Sequence, residues 1–213
     1  MQIVLDWIEK NGIENGIEVS HAQLDLLQTH MNMVLATNQV MNLTAITDKR
    51  DFQTKHIIDS LTILPYLGTV ETVADIGSGA GFPGIVMGIM RPDIHVTLVD
   101  SLQKRVKFLQ EVVDKLNLDN VTCIHSRGED LAREGFVFDV TVARAVAKID
   151  KLVKWIMPIT APGGRLLAMK GPDVAAEIEA AQKVMQKLNV GVKAVDIVDI
   201  SAGERHSIVV IEK

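Results

Sequence analysis

The chain has a single cysteine, Cys123, among 213 residues, which excludes an internal disulfide and leaves that thiol as a small hydrophobe in the run TCI. Its six histidines are scattered without the paired spacing that a metal site needs, so no metal is implied. No apolar run approaches the roughly 18 residues of a membrane span. The start, MQIVLDWIEKNG, carries no basic region followed by an apolar stretch and a small-residue cleavage site, and a cytoplasmic location is expected. Internal repeats, low-complexity tracts and linkers are absent apart from a junction near Gly68 to Glu71. A net charge of −5 withholds the overall basic surface common in nucleic-acid enzymes, and any such partner must be met by local clusters. Two concentrations stand out: Lys49, Arg50, Lys55 and His56, then Arg144, Lys148, Lys151 and Lys154. Each is also explicable as a solvated face. What remains is a chain with 47% hydrophobic residues, enough to bury a substantial core.

The organising stretch is Thr72 to Gly84, TVADIGSGAGFPG. Val73 to Ile76 is short, apolar and β-rich, as a buried parallel strand should be. Gly77, Gly79, Gly81 and Gly84 then permit a tight turn and a close approach of backbone to ligand, and Pro83 suits the first turn of a helix reaching about Met90. Gly79, Gly81 and Gly84 also satisfy G-x-G-x-x-G, which alone does not separate one nucleoside ligand from another. The next predicted strand, Ile94 to Val99, is followed by Asp100, an acidic residue about 20 positions on that suits ribose hydroxyls; an N-cap for the following helix is its competing account. Asp75 discriminates between cofactors. A carboxylate there suits the cationic amino acid end of S-adenosyl-L-methionine and would repel a pyrophosphate.

Residues 1–70 read as a helical extension and residues 71–213 as the cofactor-binding domain. In the extension, Ile3, Val4, Trp7 and Ile8 form one helical stripe, and Leu24, Leu27, Met31, Val34 and Leu35 another, with NGIENG as the turn between them. Ser20 and Gln23 make a capping box for the second helix. Asn38 to Asp48 reads as loop, and a third helix is predicted from about Asp51 to Tyr66. Beyond the glycine unit, predicted helices (102–116, a turn at 129–133, 149–157, 173–189) alternate with strands (121–124, 138–142, 164–169), which implies a doubly wound, mostly parallel α/β sheet. Val192 to Ile200 and His206 to Ile211, linked by SAGER, are too close for a parallel crossover and must form an antiparallel C-terminal hairpin.

Ligands in such sheets sit outside the carboxyl ends of the strands. Those ends supply Asp75 and Gly77 to Phe82, Asp100, the SRGED segment with Glu129 and Asp130, Arg144, and Lys170. Glu129 and Asp130 suit the reading of an adenine, or start a helix. Arg144 interrupts a buried β run between small alanines, and guanidinium groups are seldom buried without a partner. A clamp on a ligand carboxylate or phosphate is one account, a structural ion pair the other. Lys170 is a further candidate for an acceptor phosphate.

The chain resembles the RsmG (GidB) family of bacterial methyltransferases that modify N7 of a guanine in 16S ribosomal RNA. The likeness runs through NLTAITD, DFQTKHIIDSL, DIGSGAGFPG, LVDSLQKRVKFL, SRGED, ARA, MKG and GERHSIVVIEK. It implies a seven-stranded S-adenosyl-L-methionine-dependent methyltransferase fold. Cofactor contacts are implied at Gly77, Phe82, Glu129, Asp130 and Arg144, with Asp100 at the ribose. RNA contacts are implied at Lys49, Arg50, Lys55, His56, Lys148, Lys170, Arg205 and His206. The partner implied is 16S ribosomal RNA, free or within the small subunit, with no membrane and a monomeric protein. Guanine N7 carries no proton, so no general base is expected, and Arg144→Ala is expected to lose activity while folding normally. An NAD(P)-dependent oxidoreductase, a methyltransferase of small molecules or proteins, and a non-catalytic ribosome-binding factor are the alternatives.

Overall fold

The computed structural model describes residues 1–201 and 204–213. Its first helix, α1 (Gln2–Asn15), runs through most of the segment read as a turn. The Asn11 and Asn15 amides donate back to the Trp7 and Asn11 carbonyls at 2.8 and 2.7 Å, and the chain turns instead at Gly16, φ 63°. Helix α2 (His21–Thr37) begins with the predicted capping box: Ser20 Oγ accepts from Gln23 N at 3.2 Å while Gln23 Oε1 accepts from Ser20 N at 2.9 Å.

The third predicted helix is not regular. Asp48 caps α3 (Lys49–Phe52), a π-helical stretch follows (Gln53–Ile58), then α4 (Asp59–Leu61) and a 3₁₀ turn (Leu64–Tyr66). At the end of the wide turn the Asp59 N–H reaches back to the Thr54 carbonyl as well as to His56. The Lys55 carbonyl accepts instead from Arg144 Nη1 at 3.0 Å.

The sheet has order β3-β2-β1-β4-β5-β7-β6. Strands β1 (Thr72–Ile76), β2 (His95–Asp100), β3 (Val121–His125), β4 (Phe138–Arg144) and β5 (Thr160–Lys170) are parallel. Strand β7 (Glu204–Glu212) runs antiparallel to β5 and to the edge strand β6 (Gly191–Ser201), as the short link requires. Ala202 and Gly203 of that link lie outside the described residues. Strand order reverses between β2 and β4 on either side of β1, which makes the carboxyl end of β1 the expected ligand position.

Alternation along β1 assigns the layers. Val73 joins a core with α1, α2, the α3–α4 segment, α5 (Gly84–Met90) and α6 (Gln103–Leu116). Ala74 points to the opposite face, under α8 (Ile149–Ile156) and α9 (Ala175–Leu188). The N-terminal helices therefore share one continuous core with the glycine unit. Helix α5 sits almost on the strands: a Cβ at Gly84 would lie 2.1 Å from Leu98 Cδ2 and 2.6 Å from Asp75 Oδ2. Only glycine permits that approach.

Candidate active site

At the carboxyl end of β1 a cleft opens, walled by Ile76, Val99, Val146 and Trp155 and bordered by Gly77, Ser101, Ser126, Arg127, Gly128 and Glu129. Its composition, apolar walls with a few convergent polar groups, suits a flat heterocycle carrying a polyol. Gly77 and Gly79 have φ of 76° and 58°, in the region where L side chains strain. The space a Cβ would take at Gly79 is open except for a backbone oxygen 3.8 Å away, leaving this backbone available to a ligand. Glu129, in the short helix α7 (Gly128–Leu131), borders the cleft. Its neighbour Asp130 turns to solvent and pairs with Arg133 at 3.1 Å, so the acidic pair is divided between cleft and surface.

Asp100 and Asp75 work beneath the loop. Asp100 is 3% exposed, and its carboxylate accepts from Gly79 N at 3.0 Å and Leu102 N at 2.9 Å, with Arg105 Nη1 3.6 Å away. It braces the glycine loop against the β2–α6 turn and leaves Ser101 at the cleft edge. Asp75 is equally buried, with Oδ2 accepting from Gly84 N at 3.0 Å and Oδ1 without a partner among the described residues. Burial pushes its carboxyl up to about 6, against the hydrogen bond from Gly84. The expectation that Asp75 faces the cationic end of the donor is revised to this extent: its bonded oxygen is aimed at the start of α5, and it does not line the cleft.

The loop is clamped from the other side by the N-terminal helices. Phe82, also expected at the cofactor, is 3% exposed, and its ring is sandwiched between His30 (4.5 Å, 25°) and His56 (4.8 Å, 9°) with Phe52 edge-on at 5.5 Å. His30 Nε2 donates to the Ala80 carbonyl at 2.9 Å, which assigns its proton, because a carbonyl only accepts. Arg144 donates to His56 Nδ1 at 3.1 Å, so His56 is the neutral tautomer that presents Nε2–H to Thr44 Oγ1 at 2.7 Å. Burial holds His30 at about 4. Burial, reinforced by the Arg144 charge, holds His56 at about 3.

Arg144 takes the ion-pair role. Its Nη1 donates to Asp59 Oδ2 at 2.8 Å, and its Cζ stands 5.7 Å from the Phe82 centroid. Asp59 Oδ1 lies 2.5 Å from His206 Nδ1. Burial works against the Asp59 carboxylate, but His206 and Arg144 outweigh it and hold the group below its usual range. One network thus joins the helical extension, the glycine loop, the end of β4 and β7.

Several of the residues expected at RNA have partners within the chain. His56 and His206 are 8% and 6% exposed and committed to the network; Lys170 is enclosed, pairing with Glu177 Oε2 at 2.8 Å and donating to the Ala147 carbonyl. Lys55 is neutralised by Asp51 and Glu204, each at 3.2 Å. Lys49, Arg50, Lys148 and Arg205 are exposed, Arg205 having only a 4.0 Å contact with Asp199. Arg127 lies within the SRGED segment expected at the cleft, whereas Ser101, Val146 and Trp155 there escaped sequence reading, as did His30. Trp155 was within reach of it, an aromatic on a helix predicted beside a strand end; His30 was not, since its role lies in a contact spanning 50 residues.

Comparison with known proteins agrees with this geometry. Residues 23–208 match the family described as GidB, rRNA small subunit methyltransferase G. A ribosomal RNA small subunit methyltransferase G of Clostridium botulinum is 38% identical over 206 residues, 93% of this chain and 85% of that protein. One of Leuconostoc mesenteroides is 39% identical over 207 residues, 93% and 86% of the two chains. Among solved structures, a SAM-dependent methyltransferase from Aquifex aeolicus superposes with a TM-score of 0.57 at 19% identity, covering 78% of this chain and 95% of that one, a likeness of fold.

Proposed function

The chain belongs to the GidB family of small-subunit rRNA methyltransferases, and from that premise we propose that it transfers a methyl group from S-adenosyl-L-methionine to N7 of a guanine in 16S ribosomal RNA, in the cytoplasm. The observation that carries the donor site is the cleft itself: an open glycine backbone at the switch point, with Ser101 and Glu129 converging between apolar walls. Ser101, beside the braced Asp100, is placed for ribose hydroxyls. Glu129 and the Gly128 backbone suit the amino edge of adenine, with Ile76, Val99 and Trp155 against the ring faces. Residues 71–213 form the donor-binding domain, and residues 1–70 an extension that holds the glycine loop.

When bound, S-adenosylmethionine supplies an electrophilic methyl on a sulfonium, whose carbon–sulfur bond breaks as the N7 lone pair forms the new bond. N7 bears no proton to remove, so the protein's contribution is alignment rather than acid–base chemistry. Arg144 contributes by position: it ties the end of β4 to the π-helical segment and stands over Phe82, and through Phe82 it sets the glycine loop. The exposed cations Lys49, Arg50, Lys148 and Arg205 are the groups assigned to RNA phosphates.

The test is transfer of labelled methyl to ribosomal RNA from a strain lacking the gene, as naked RNA and as small subunits, followed by nucleoside analysis. Label in 7-methylguanosine is the expected result. Label elsewhere, or none from a protein that binds the donor, overturns the acceptor assignment. Binding of a nicotinamide dinucleotide in place of the donor would return the site to an oxidoreductase.

A further inference from the structure

The loop that follows β4 forms one wall of the cleft, and its backbone is held in a costly shape. Ala145 has φ 56°, a left-handed conformation that a residue with a Cβ rarely adopts and that costs on the order of 1–3 kcal/mol. The next residue, Val146, presses onto the glycine loop: a Cβ at Gly77 would lie 2.6 Å from Val146 Cγ2. Something outside the loop must hold Ala145 in place. On the side away from the cleft, Lys170 at the end of β5 donates to the Ala147 carbonyl and pairs with Glu177 Oε2 at 2.8 Å, and the same Glu177 oxygen accepts from Ile149 N at 3.1 Å. Ala147 and Ile149 bracket the beginning of α8, so the pair grips both sides of the loop's exit. Lys170 is only 12% exposed and Glu177 31%, a shielding that strengthens the pair relative to one in open water.

We infer that Lys170 and Glu177 are positioning residues for the methyl-donor site, acting through the Ala145–Lys148 loop to keep Val146 closed over Gly77. This rests on the donor reading above. It replaces the expected role of Lys170 at an acceptor phosphate: the ammonium faces the back of the cleft wall and already has an anionic and a carbonyl partner.

The test measures Kd for S-adenosylhomocysteine by calorimetry, alongside the donor KM and the melting temperature. The proteins are the unaltered chain, Lys170→Met, Glu177→Gln, the double variant, Lys170→Arg, and Met185→Ala as a control that loosens α9 at a buried position remote from the loop. Lys170→Met is expected to weaken Kd by about tenfold or more, since misplacing a site wall by an ångström carries penalties up to about a hundredfold. Glu177→Gln should weaken it in the same direction, the double variant should be little worse than Lys170→Met alone, and Lys170→Arg should recover most of the affinity. Met185→Ala should lower the melting temperature with Kd unchanged. Unaltered Kd and KM in Lys170→Met would overturn the inference, as would an equal loss of affinity in Met185→Ala, which would make the pair structural. Failure of the unaltered protein to bind S-adenosylhomocysteine would overturn the donor reading itself and this inference with it.

Discussion

The histidines flanking Phe82 make stability fall with acid well above the carboxylate range, and His30 offers the cleanest measurement. It is 1% exposed and neutral, bonded through Nε2–H to the Ala80 carbonyl, and burial lowers it from 6.5 to about 4. A group depressed in the folded state favours folding above its unfolded value and loses that contribution as pH falls toward the folded value. Between pH 7 and pH 5 the unfolded chain protonates His30 and the native chain does not, which costs about 2 kcal/mol at about 1.4 kcal/mol per pKa unit. His56, held at about 3, adds a similar loss over the same window. Asp75 acts in the opposite sense. Raised to about 6, it opposes folding while ionised, and its protonation returns about 1 kcal/mol between pH 7 and pH 5. Asp59 is lowered, so its loss falls below pH 4. The unaltered protein should therefore lose on the order of 3 kcal/mol between pH 7 and pH 5 in urea denaturation. His30→Gln, whose amide can still donate to Ala80, should lose about 2 kcal/mol less across the same interval. The difference between the two slopes removes every contribution common to both proteins. Parallel slopes would refute the placement of a neutral, buried His30 against the glycine loop.

Gly84→Ala should disrupt the glycine unit, because the new methyl would stand 2.1 Å from Leu98 Cδ2 and against Asp75; destabilisation of about 1–3 kcal/mol, with loss of donor binding, is read by calorimetry and denaturation. Arg144→Ala should be destabilising as well as inactive, contrary to the expectation of normal folding. It leaves Asp59 with His206 alone and takes the donor from the Lys55 carbonyl in a buried setting, at a cost of up to about 3–5 kcal/mol; an unchanged denaturation midpoint would count against the ion pair. Trp155 walls the cleft, so its fluorescence should change on titration with S-adenosylhomocysteine, and Trp155→Ala should abolish that change while Trp7 emission persists. Charge reversal at Lys49 and Arg50 should reduce RNA methylation and its salt dependence with the donor Kd unchanged.

How much of this was legible in the sequence follows from the range of the interactions involved. The capping box at Ser20 and Gln23, the strand of Val73 to Ile76 and the C-terminal hairpin are set by neighbours a few residues apart, and each stands where the pattern put it. The turn at NGIENG was misread because asparagine amides there bond back into the helix, so the polar run extends α1 instead of ending it. For the site, position along the chain was readable and orientation was not. Asp75, Asp100, Arg144 and Lys170 all lie at strand ends, as pattern alone requires. Which way each side chain points was decided largely by partners 7 to 89 residues away: Gly84, Gly79, Lys55 with Asp59, and Ala147 with Glu177.

That distinction bears on how the extension and the donor site are coupled. A basic residue at a strand end looks the same whether it faces a ligand or a carboxylate of the same chain, and here the latter holds for Arg144 and Lys170 alike. Both act on the backbone that shapes the cleft, Arg144 from the side of the N-terminal helices through Phe82, Lys170 from the side of α9 through the Ala147 carbonyl. The cleft is thus braced from both faces of the sheet, and the brace from residues 1–70 includes neutral histidines packed on the glycine loop itself. Any movement of α2 or the π-helical segment on docking RNA would have to shift Phe82 or break the Arg144 network. Acceptor and donor binding should therefore be energetically linked: in a reciprocal pair of titrations, saturating small subunits should change the affinity for S-adenosylhomocysteine by the same factor that S-adenosylhomocysteine changes the affinity for small subunits. A factor of one in both directions would show that the extension holds the loop without transmitting anything to it.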